Sequence, residues 1–297
     1  MMTIEEVITI DQADRRGVLR ENFRVFRLRD NRSPQIDYHY HEFDKIVVFL
    51  SGAASYIVEG RTYRLQPWDV LFIRHHDIHR PVIDPIAPYE RVVIWIEPGY
   101  LSRVSTKKTD LSRCFAEAGR RQKNLCRPWP EMRTRLSRLI DDVEAADASN
   151  DFGSDVLFEA TFLRLMVAFN RLMLTLPDAQ QDAFEYDPKI SEILRYINEN
   201  LSADLSIDAI AGRYYMSRYH FMRKFKEVTG YTAHNYVRQK RLAYASQLIA
   251  NGASPSEAAE LSGFTDYSSF LRAFKQQFST TPKAFAQNAY RREEIID

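Results

Sequence analysis

A basic and aromatic motif occurs twice in the C-terminal third of the chain. The pattern Phe-x-Arg-x-Phe-Lys covers residues 221–226 and returns at residues 270–275, 49 positions later. The match continues downstream at the same offset as far as Phe285. A constant offset over this length indicates a duplicated structural unit. Each copy carries an arginine, Arg223 or Arg272, and arginine is the side chain best suited to a bidentate contact with guanine.

Helical periodicity gives the first copy an apolar face and a basic face. Phe221 and Phe225 are four residues apart, so they lie on one face of a helix and we expect them to be buried. The other face carries aromatic and basic side chains that a DNA major groove can accept, namely Tyr219, Met222, Arg223 and Lys226. Phe270 and Phe274 predict the same arrangement for the second copy.

A short helix and a tight turn precede each copy, which predicts two helix-turn-helix units. In the first unit, Ser206 is the expected cap of the leading helix and Ser217 the cap of the helix that carries the motif. In the second unit, Gly263 lies in the turn, and either Thr265 or Asp266 caps the motif helix. The C-terminal domain is therefore predicted to be an all-α tandem helix-turn-helix.

The charges of the chain are unevenly distributed. Forty-one Lys and Arg against 40 Asp and Glu give a net charge of +1, but residues 213–241 contain eight basic residues and one acidic residue. A helix predicted over residues 237–251, about 20 to 25 Å long, joins the two units and would let both contact successive major-groove faces of one DNA. Because the basic excess surrounds the first motif, we expect the first unit to supply most of the electrostatic affinity for DNA.

Residues 1–100 have the pattern of an antiparallel β domain. Short β-branched and aromatic runs alternate with turn residues, and Glu59-Gly60 is typical of a hairpin turn with Gly60 at positive φ. The predicted strands cover residues 23–28, 46–50, 55–58, 62–65, 70–73, 81–83 and 92–96. This spacing suggests an antiparallel β-barrel or sandwich. The expected fold class is thus a two-domain chain, in which an N-terminal antiparallel β domain with helices, preferably a β-barrel, precedes the helical domain.

The segment 101–177 has helical periodicity, clearest over residues 131–146 and 156–176. The second of these helices is apolar nearly all round, which leaves two interpretations open. It packs on the barrel, or part of it forms a dimer interface. The polar, proline-bounded segment 178–187 is the predicted linker, and residues 188–297 form the helix-turn-helix domain.

Composition excludes several classes of protein. At 297 residues with 45% apolar side chains, the chain is long enough for two globular domains. Two cysteines, Cys114 and Cys126, are too few for a disulfide framework or a thiolate zinc site and suit a reducing compartment. The N-terminus does not have a signal-peptide pattern, and the apolar runs are far shorter than the roughly 20 residues that span a bilayer. We therefore expect a cytoplasmic protein with no membrane partner.

Residues 188–289 resemble the tandem helix-turn-helix domain of AraC/XylS-type transcriptional regulators. The most specific match is the segment 263–275, with the sequence GFTDYSSFLRAFK. The resemblance implies base-facing positions in both motif helices, namely Tyr219, Met222 and Arg223 in the first and Tyr267, Ser268, Leu271 and Arg272 in the second. The sequence departs from the family at Ala233, where Pro is usual, and at Ser279, where Gly is usual.

The N-terminal domain resembles the cupin-type sensory domain of such regulators through His39-Tyr40-His41, the segment 65–69 and His79. Cupin enzymes hold a metal with a His-x-His pair, a carboxylate and a later His, but Lys45 stands where the carboxylate is expected. A three-histidine metal site stays open as an alternative. The preferred interpretation has no metal and no cofactor, and the histidines either line a pocket for an organic effector or only hydrogen-bond within the barrel mouth. The expected effector-binding residues are Tyr38, His39, His41, Trp68, His79 and Trp95, of which Trp68 stands where such domains often have Gly.

These patterns predict a sequence-specific DNA-binding transcription regulator, not an enzyme, whose N-terminal domain senses a small-molecule effector. Its expected partners are double-stranded promoter DNA, the effector, a second copy of the chain and RNA polymerase. One alternative is a cupin-type metal-dependent enzyme with a helical appendage, which must treat the repeat as accidental. Another is a ligand-binding dimer without DNA contact, which does not account for the basic segment around the first motif.

Overall fold

The computed structural model describes residues 19, 21–30, 36–175 and 184–287, and the chain divides into two compact units between Tyr186 and Asp187. The first unit consists of antiparallel sheets with helices, and the second is helical. The predicted fold class, an antiparallel N-terminal domain followed by a helical one, is confirmed. No helix that the structure describes is long and apolar enough to cross a bilayer.

Two antiparallel sheets build the first unit. Their strands are β1 (Phe23–Asp30), β2 (Asp44–Ser51), β3 (Ala54–Val58), β4 (Arg61–Arg64), β5 (Val70–Ile73), β6 (His79–Ile83), β7 (Tyr89–Ile96), β8 (Leu125–Cys126) and β9 (Phe184–Tyr186). The first sheet has the order β1-β7-β2-β5-β8 and the second the order β6-β3-β4-β9. The predicted hairpin turn joins β3 to β4, with Glu59 at φ 47° and Gly60 at φ 75°, the positive φ values that two-residue hairpin loops require.

Strand β2 is buried on both faces, which explains its unbroken apolar run. Val47 and Phe49 belong to the core cluster between the two sheets. Ile46 and Val48 alternate with them and belong to a larger cluster formed with the helices of this unit. A strand between two apolar layers has no polar face. The first sheet is therefore the middle layer of the domain.

The helices of the first unit cover the outer face of the first sheet. They are α1 (Tyr100–Arg103), α2 (Arg113–Arg120), α3 (Pro130–Ala148) and α4 (Ser154–Thr175). Phe162, Met166 and Phe169 of α4 are fully buried against this sheet and α3. Val156 and Leu157, in the first turn of the same helix, are 65% and 59% exposed. The segment predicted as helical also contains strand β8, which pairs with β5.

The end of the predicted linker 178–187 has regular structure. Residues 178–183 lie outside the described residues. Strand β9 pairs antiparallel with β4, with Tyr186 opposite Arg61, and the Asp187 side chain accepts a hydrogen bond from the Ile190 backbone N at 2.9 Å as a helix cap. Residues 184–187 are therefore not linker. The strand is only 3 residues long, and alternation over so few residues is too short to predict a strand.

The second unit contains the two predicted helix-turn-helix units. Its helices are α5 (Pro188–Glu199), α6 (Ile207–Arg213), α7 (Arg218–Thr229), α8 (Ala233–Ala250), α9 (Pro255–Leu261) and α10 (Tyr267–Phe278). The first unit of the repeat is α6–α7, the second is α9–α10, and α8 connects them. Helix α8 begins before the predicted residue 237 because Thr232 caps it, accepting a hydrogen bond from the Asn235 backbone N at 3.3 Å.

Candidate nucleic-acid interface and sensory site

Serine caps and a buried phenylalanine pair orient the first motif helix. The Ser206 hydroxyl accepts a hydrogen bond from the Ala209 backbone N, and the Ser217 hydroxyl accepts one from the His220 backbone N, both at 3.3 Å. Both caps are the predicted residues. Phe221 and Phe225 of the motif are both fully buried. These contacts fix which face of α7 turns away from the core.

The structure brings four predicted DNA-contacting side chains to one face of α7. Tyr219, Met222, Arg223 and Lys226 are all exposed, and at 100° per residue they lie within about 100° of arc. Tyr219 is 73% exposed, which is a large fraction for an aromatic side chain. Among the described residues, the ion pair of the Arg223 guanidinium is a long contact to the Glu227 carboxylate, 3.9 Å. The guanidinium is therefore available for a stronger acceptor on DNA.

Asp266 is the cap of α10. Its carboxylate accepts hydrogen bonds from the backbone N of Ser268 and Ser269, at 3.3 and 2.7 Å. Hydrogen bonds from the side chain and backbone of Ser269 lower the pKa of Asp266 below its usual range. Of the predicted contact residues, Tyr267, Ser268 and Arg272 are exposed, whereas Leu271 is half-buried.

The exposed face of α10 also carries Lys275, which the sequence-based set of contact residues omitted. Lys275 is exposed and stands 49 positions after Lys226. The repeat in the sequence was sufficient to add Lys275 to the predicted contact residues, because Lys226 is its counterpart in the first copy. Tyr215 lies in the turn between α6 and α7. It is 95% exposed and adopts φ 52°.

Part of the basic excess in residues 213–241 serves the structure of the domain. Lys240 is buried, with its ammonium 5.3 Å from the centre of the Tyr236 ring. Lys224 forms an ion pair with Asp187 at 2.8 Å. The exposed positive charge around the first helix-turn-helix is therefore smaller than the number of basic residues in segment 213–241 suggests. Arg223 and Lys226 remain on its exposed face.

In the first domain, a backbone bridge brings three histidines together. His39 and His79 face each other in an isolated antiparallel bridge, with N···O distances of 3.0 and 2.8 Å. Residues two apart in extended chain share a face, so His41 joins them. The ring centroids are 4.4 Å apart for His39 and His79, and 4.9 and 5.1 Å from those rings to His41. We call these three residues the histidine cluster.

Hydrogen bonds to backbone carbonyls set the tautomers of two cluster rings. Nδ1 of His39 lies 2.8 Å from the Asp37 oxygen, and Nδ1 of His79 lies 2.9 Å from the Asp77 oxygen. A carbonyl only accepts, so each Nδ1–H donates and the lone pair of the neutral ring is on Nε2. Burial, together with the charges of His39 and Lys45, lowers the pKa of His79 well below 6.5.

Two buried polar atoms beside the cluster suit a ligand. Nε2 of His79 finds no hydrogen-bond partner among the residues that the structure describes. The same holds, within that part of the chain, for Nε1 of Trp95, whose ring centroid is 6.2 Å from that of His41. Burying such atoms unpaired is unfavourable. A ligand with complementary atoms would satisfy them.

The structure gives the other two predicted effector residues, Tyr38 and Trp68, different surroundings. Tyr38 stacks under the Arg80 guanidinium, 4.8 Å from its ring centre. Trp68 packs against the larger core cluster beneath the helices, on the other side of the first sheet. Its φ of 75° explains why Gly is common at this position, because a left-handed backbone is favourable for Gly.

The carboxylates near the cluster are engaged with other histidines. Asp44 Oδ1 lies 2.7 Å from Nδ1 of His75, and Glu42 Oε2 lies 2.6 Å from Nε2 of His76. Among the described residues, the group that could hold a metal is therefore an all-nitrogen set of three histidines, and the charge of the buried Lys45 acts on His79. Such a set lacks the carboxylate that the enzyme alternative requires.

Comparisons with known proteins divide the chain in the same way. A family model described as an AraC-like ligand binding domain matches residues 25–166, and one described as a helix-turn-helix domain matches residues 210–288. The HTH-type transcriptional activator RhaS of Salmonella schwarzengrund (strain CVM19633) is 24% identical over 275 residues, 89% of this chain and 92% of that protein. The RhaS of Yersinia pestis (strain Pestoides F) is 26% identical over 263 residues, 85% of this chain and 90% of that protein.

Among solved structures, ToxT from Vibrio cholerae O395 is 16% identical, with a TM-score of 0.35, and the match covers 89% of this chain and 97% of that chain. The family assignment depends on the two domain matches and their order, together with the relatives that match over most of the chain. Both domains belong to transcription regulators, and the enzyme alternative has no support. An AraC-like ligand-binding domain followed by a duplicated helix-turn-helix makes this chain a member of the AraC/XylS family of transcriptional regulators.

Proposed function

We propose that this regulator binds promoter DNA with α7 and α10 and changes transcription when a ligand occupies the histidine cluster. The observation that carries the DNA-binding half is the repeated exposed arginine. Arg223 and Arg272 are both exposed, each on a helix whose motif phenylalanines are fully buried. A scaffold that fixes two such helices presents the same side chain to two segments of DNA.

Each predicted contact residue has a role that fits its chemistry. Arg223 and Arg272 read guanine in the major groove, while Met222 and the half-buried Leu271 contact thymine methyl groups. Lys226 and Lys275 bind phosphates, which adds affinity without sequence information. Tyr219, Tyr267 and Ser268 complete the two surfaces.

Selection of DNA by the full chain tests this function. Fragments of the source genome bound by the purified protein are sequenced, and we expect an enriched site with two half-sites about 10 base pairs apart. Affinity for that site should fall steeply with salt, because phosphate contacts release counterions. Recovery of random fragments, or a flat salt profile, would contradict DNA reading by these helices.

The RhaS relatives are named transcriptional activators, and we infer the same direction of control here. An activator bound at a promoter works next to RNA polymerase, which implies a cytoplasmic location and the polymerase as a partner. Val156 and Leu157, exposed on α4, are the surface we assign to a second copy of the chain. Sedimentation of the wild type and of a Leu157→Glu variant tests the dimer. We expect the wild type to sediment as a dimer and the variant as a monomer.

A further inference from the structure

We propose that the histidine cluster binds a first-row divalent transition-metal ion through His39, His41 and His79. This inference deepens the proposed sensory function and rests on it, because it names the chemical class of the ligand that the N-terminal domain detects. It also assigns a metal where sequence reasoning preferred none. The reason for the change is geometric, since only the fold shows that the three rings meet.

The backbone brings the three donors close together before any ion arrives. His39 and His79 are tied by two bridge hydrogen bonds, and His41 follows His39 at a spacing that shares its face. One nitrogen from each ring lies within 4.8 Å of the other two. In a tetrahedral site with metal–nitrogen bonds of 2.0–2.1 Å, donor atoms are about 3.4 Å apart. The ring of His39 is only half-buried, so a modest rotation closes the difference.

The hydrogen bonds of the rings are those of metal ligands. A ligating imidazole usually donates its second N–H to a carbonyl or carboxylate, which fixes the ring and exposes the lone pair of the other nitrogen. His39 and His79 do this towards the carbonyls of Asp37 and Asp77. Nε2 of His79 is fully buried and has no hydrogen-bond partner in the described part of the chain. A metal ion would accept its lone pair.

The donor set also restricts which ion binds. Three neutral imidazoles beside the buried ammonium of Lys45 provide no negative charge. Mg²⁺ and Ca²⁺ need oxygen ligands and charge compensation, so this site rejects them. Zn²⁺, Ni²⁺ and Cu²⁺ bind imidazole strongly enough to tolerate the ammonium. Three protein ligands leave a further coordination position for water or a small anion.

The test is metal binding by the full chain, measured separately from DNA binding. The protein is stripped with a chelator and titrated with Co²⁺, whose visible absorption reports a tetrahedral nitrogen site, and then with Zn²⁺ as the competitor. We expect about one ion per chain, displacement of Co²⁺ by Zn²⁺ and no competition by Mg²⁺. The His39→Ala variant should bind at least about tenfold more weakly.

Two comparisons make the result decisive. The His234→Ala variant lacks an exposed histidine of helix α8 in the C-terminal domain and should bind the metal like the wild type. His79→Gln should lose metal binding, as His39→Ala does. Because His79 is buried, thermal unfolding is used to check that the His79→Gln variant folds. If that variant is unfolded, His39→Ala, at a half-buried position, is the variant that tests the metal site. Wild-type affinity no tighter than that of His39→Ala would overturn the metal site. DNA binding by the stripped protein would still test the proposed function independently.

Discussion

The guanidinium of Arg241 donates to the backbone oxygen of Leu201, joining the connecting helix α8 to the loop before the first helix-turn-helix. The Nε···O distance is 2.9 Å, and Nη2 donates to the Ala203 oxygen at 2.8 Å. Gly263, in the turn of the second helix-turn-helix, lies close to the same Leu201 oxygen and Arg241 guanidinium. A Cβ there would overlap the Leu201 oxygen and lie 2.9 Å from Nε of Arg241. Helix α8 and the turn of the second helix-turn-helix thus both contact the loop that precedes the first one.

Gly263→Ala should disrupt this contact. The new methyl group would collide with a backbone oxygen, and the φ of 88° at this position disfavours any side chain. We expect a loss of about 1–3 kcal/mol in the unfolding free energy of the helical domain, measured by chemical denaturation. Affinity for the two-part DNA site should fall as well.

Gly212→Ala is the matched control for this substitution. Gly212 lies in α6, and a Cβ added there would meet nothing within 4 Å, so alanine at this position should stabilise the helix by up to about 1 kcal/mol. Equal behaviour of the two variants would show that Gly263 makes no restrictive contact.

Arg223→Ala should separate base reading from charge. We expect a cost of about 1–3 kcal/mol at the specific site and a relaxed base preference at one position. Lys226→Ala should weaken specific and random DNA alike and reduce the salt slope by about one. Fluorescence anisotropy on both DNAs measures these effects. Equal losses on specific and random DNA for Arg223→Ala would be inconsistent with base reading.

Ser279→Gly should stabilise the second helix-turn-helix. Ser279 ends α10 with φ 57°, a left-handed conformation that glycine adopts without steric cost. We expect a gain of about 1 kcal/mol in unfolding free energy. Ser262, which ends α9 with φ −84°, is the control, because glycine there should be destabilising. A gain at both serines would exclude the left-handed backbone as the cause.

The ion pair of His75 with Asp44 predicts that the stability of the N-terminal antiparallel domain depends on pH. Burial disfavours the charged ring and the Arg74 charge also lowers its pKa, but the carboxylates of Asp44 and Asp77 outweigh them and raise the pKa of His75 above 6.5. With a raised native pKa, the stabilisation is fully present below 6.5 and is lost as the pH rises through the native value.

Comparison of the wild type with His75→Asn measures this contribution. All three tryptophans lie in the first unit, so urea unfolding followed by tryptophan fluorescence reports on that unit. The difference in unfolding free energy between wild type and variant should shrink from about pH 6 to alkaline pH. A difference that does not change with pH would contradict a charged His75 in the native state.

Local patterns in the sequence were sufficient for the helix-turn-helix domain and for the β3–β4 hairpin of the first domain. Phe221, Ser217 and the hairpin glycine Gly60 each act through neighbours a few residues away, so periodicity, caps and turn chemistry predicted their roles. The repeat extended the prediction to the second unit. Composition also separated the antiparallel domain from the helical one.

Long-range contacts decided the rest. His79 meets His39 through a bridge between segments far apart in the chain, and Trp68 lies on the far side of the sheet from both. Neither arrangement follows from spacing, because the face that a residue occupies depends on strand register and on which layers cover the sheet. Arg241 likewise appeared only as part of a basic segment until the fold placed the Leu201 carbonyl within hydrogen-bonding distance. Types and spacing of residues therefore specify the local units, while packing between distant segments specifies the sites.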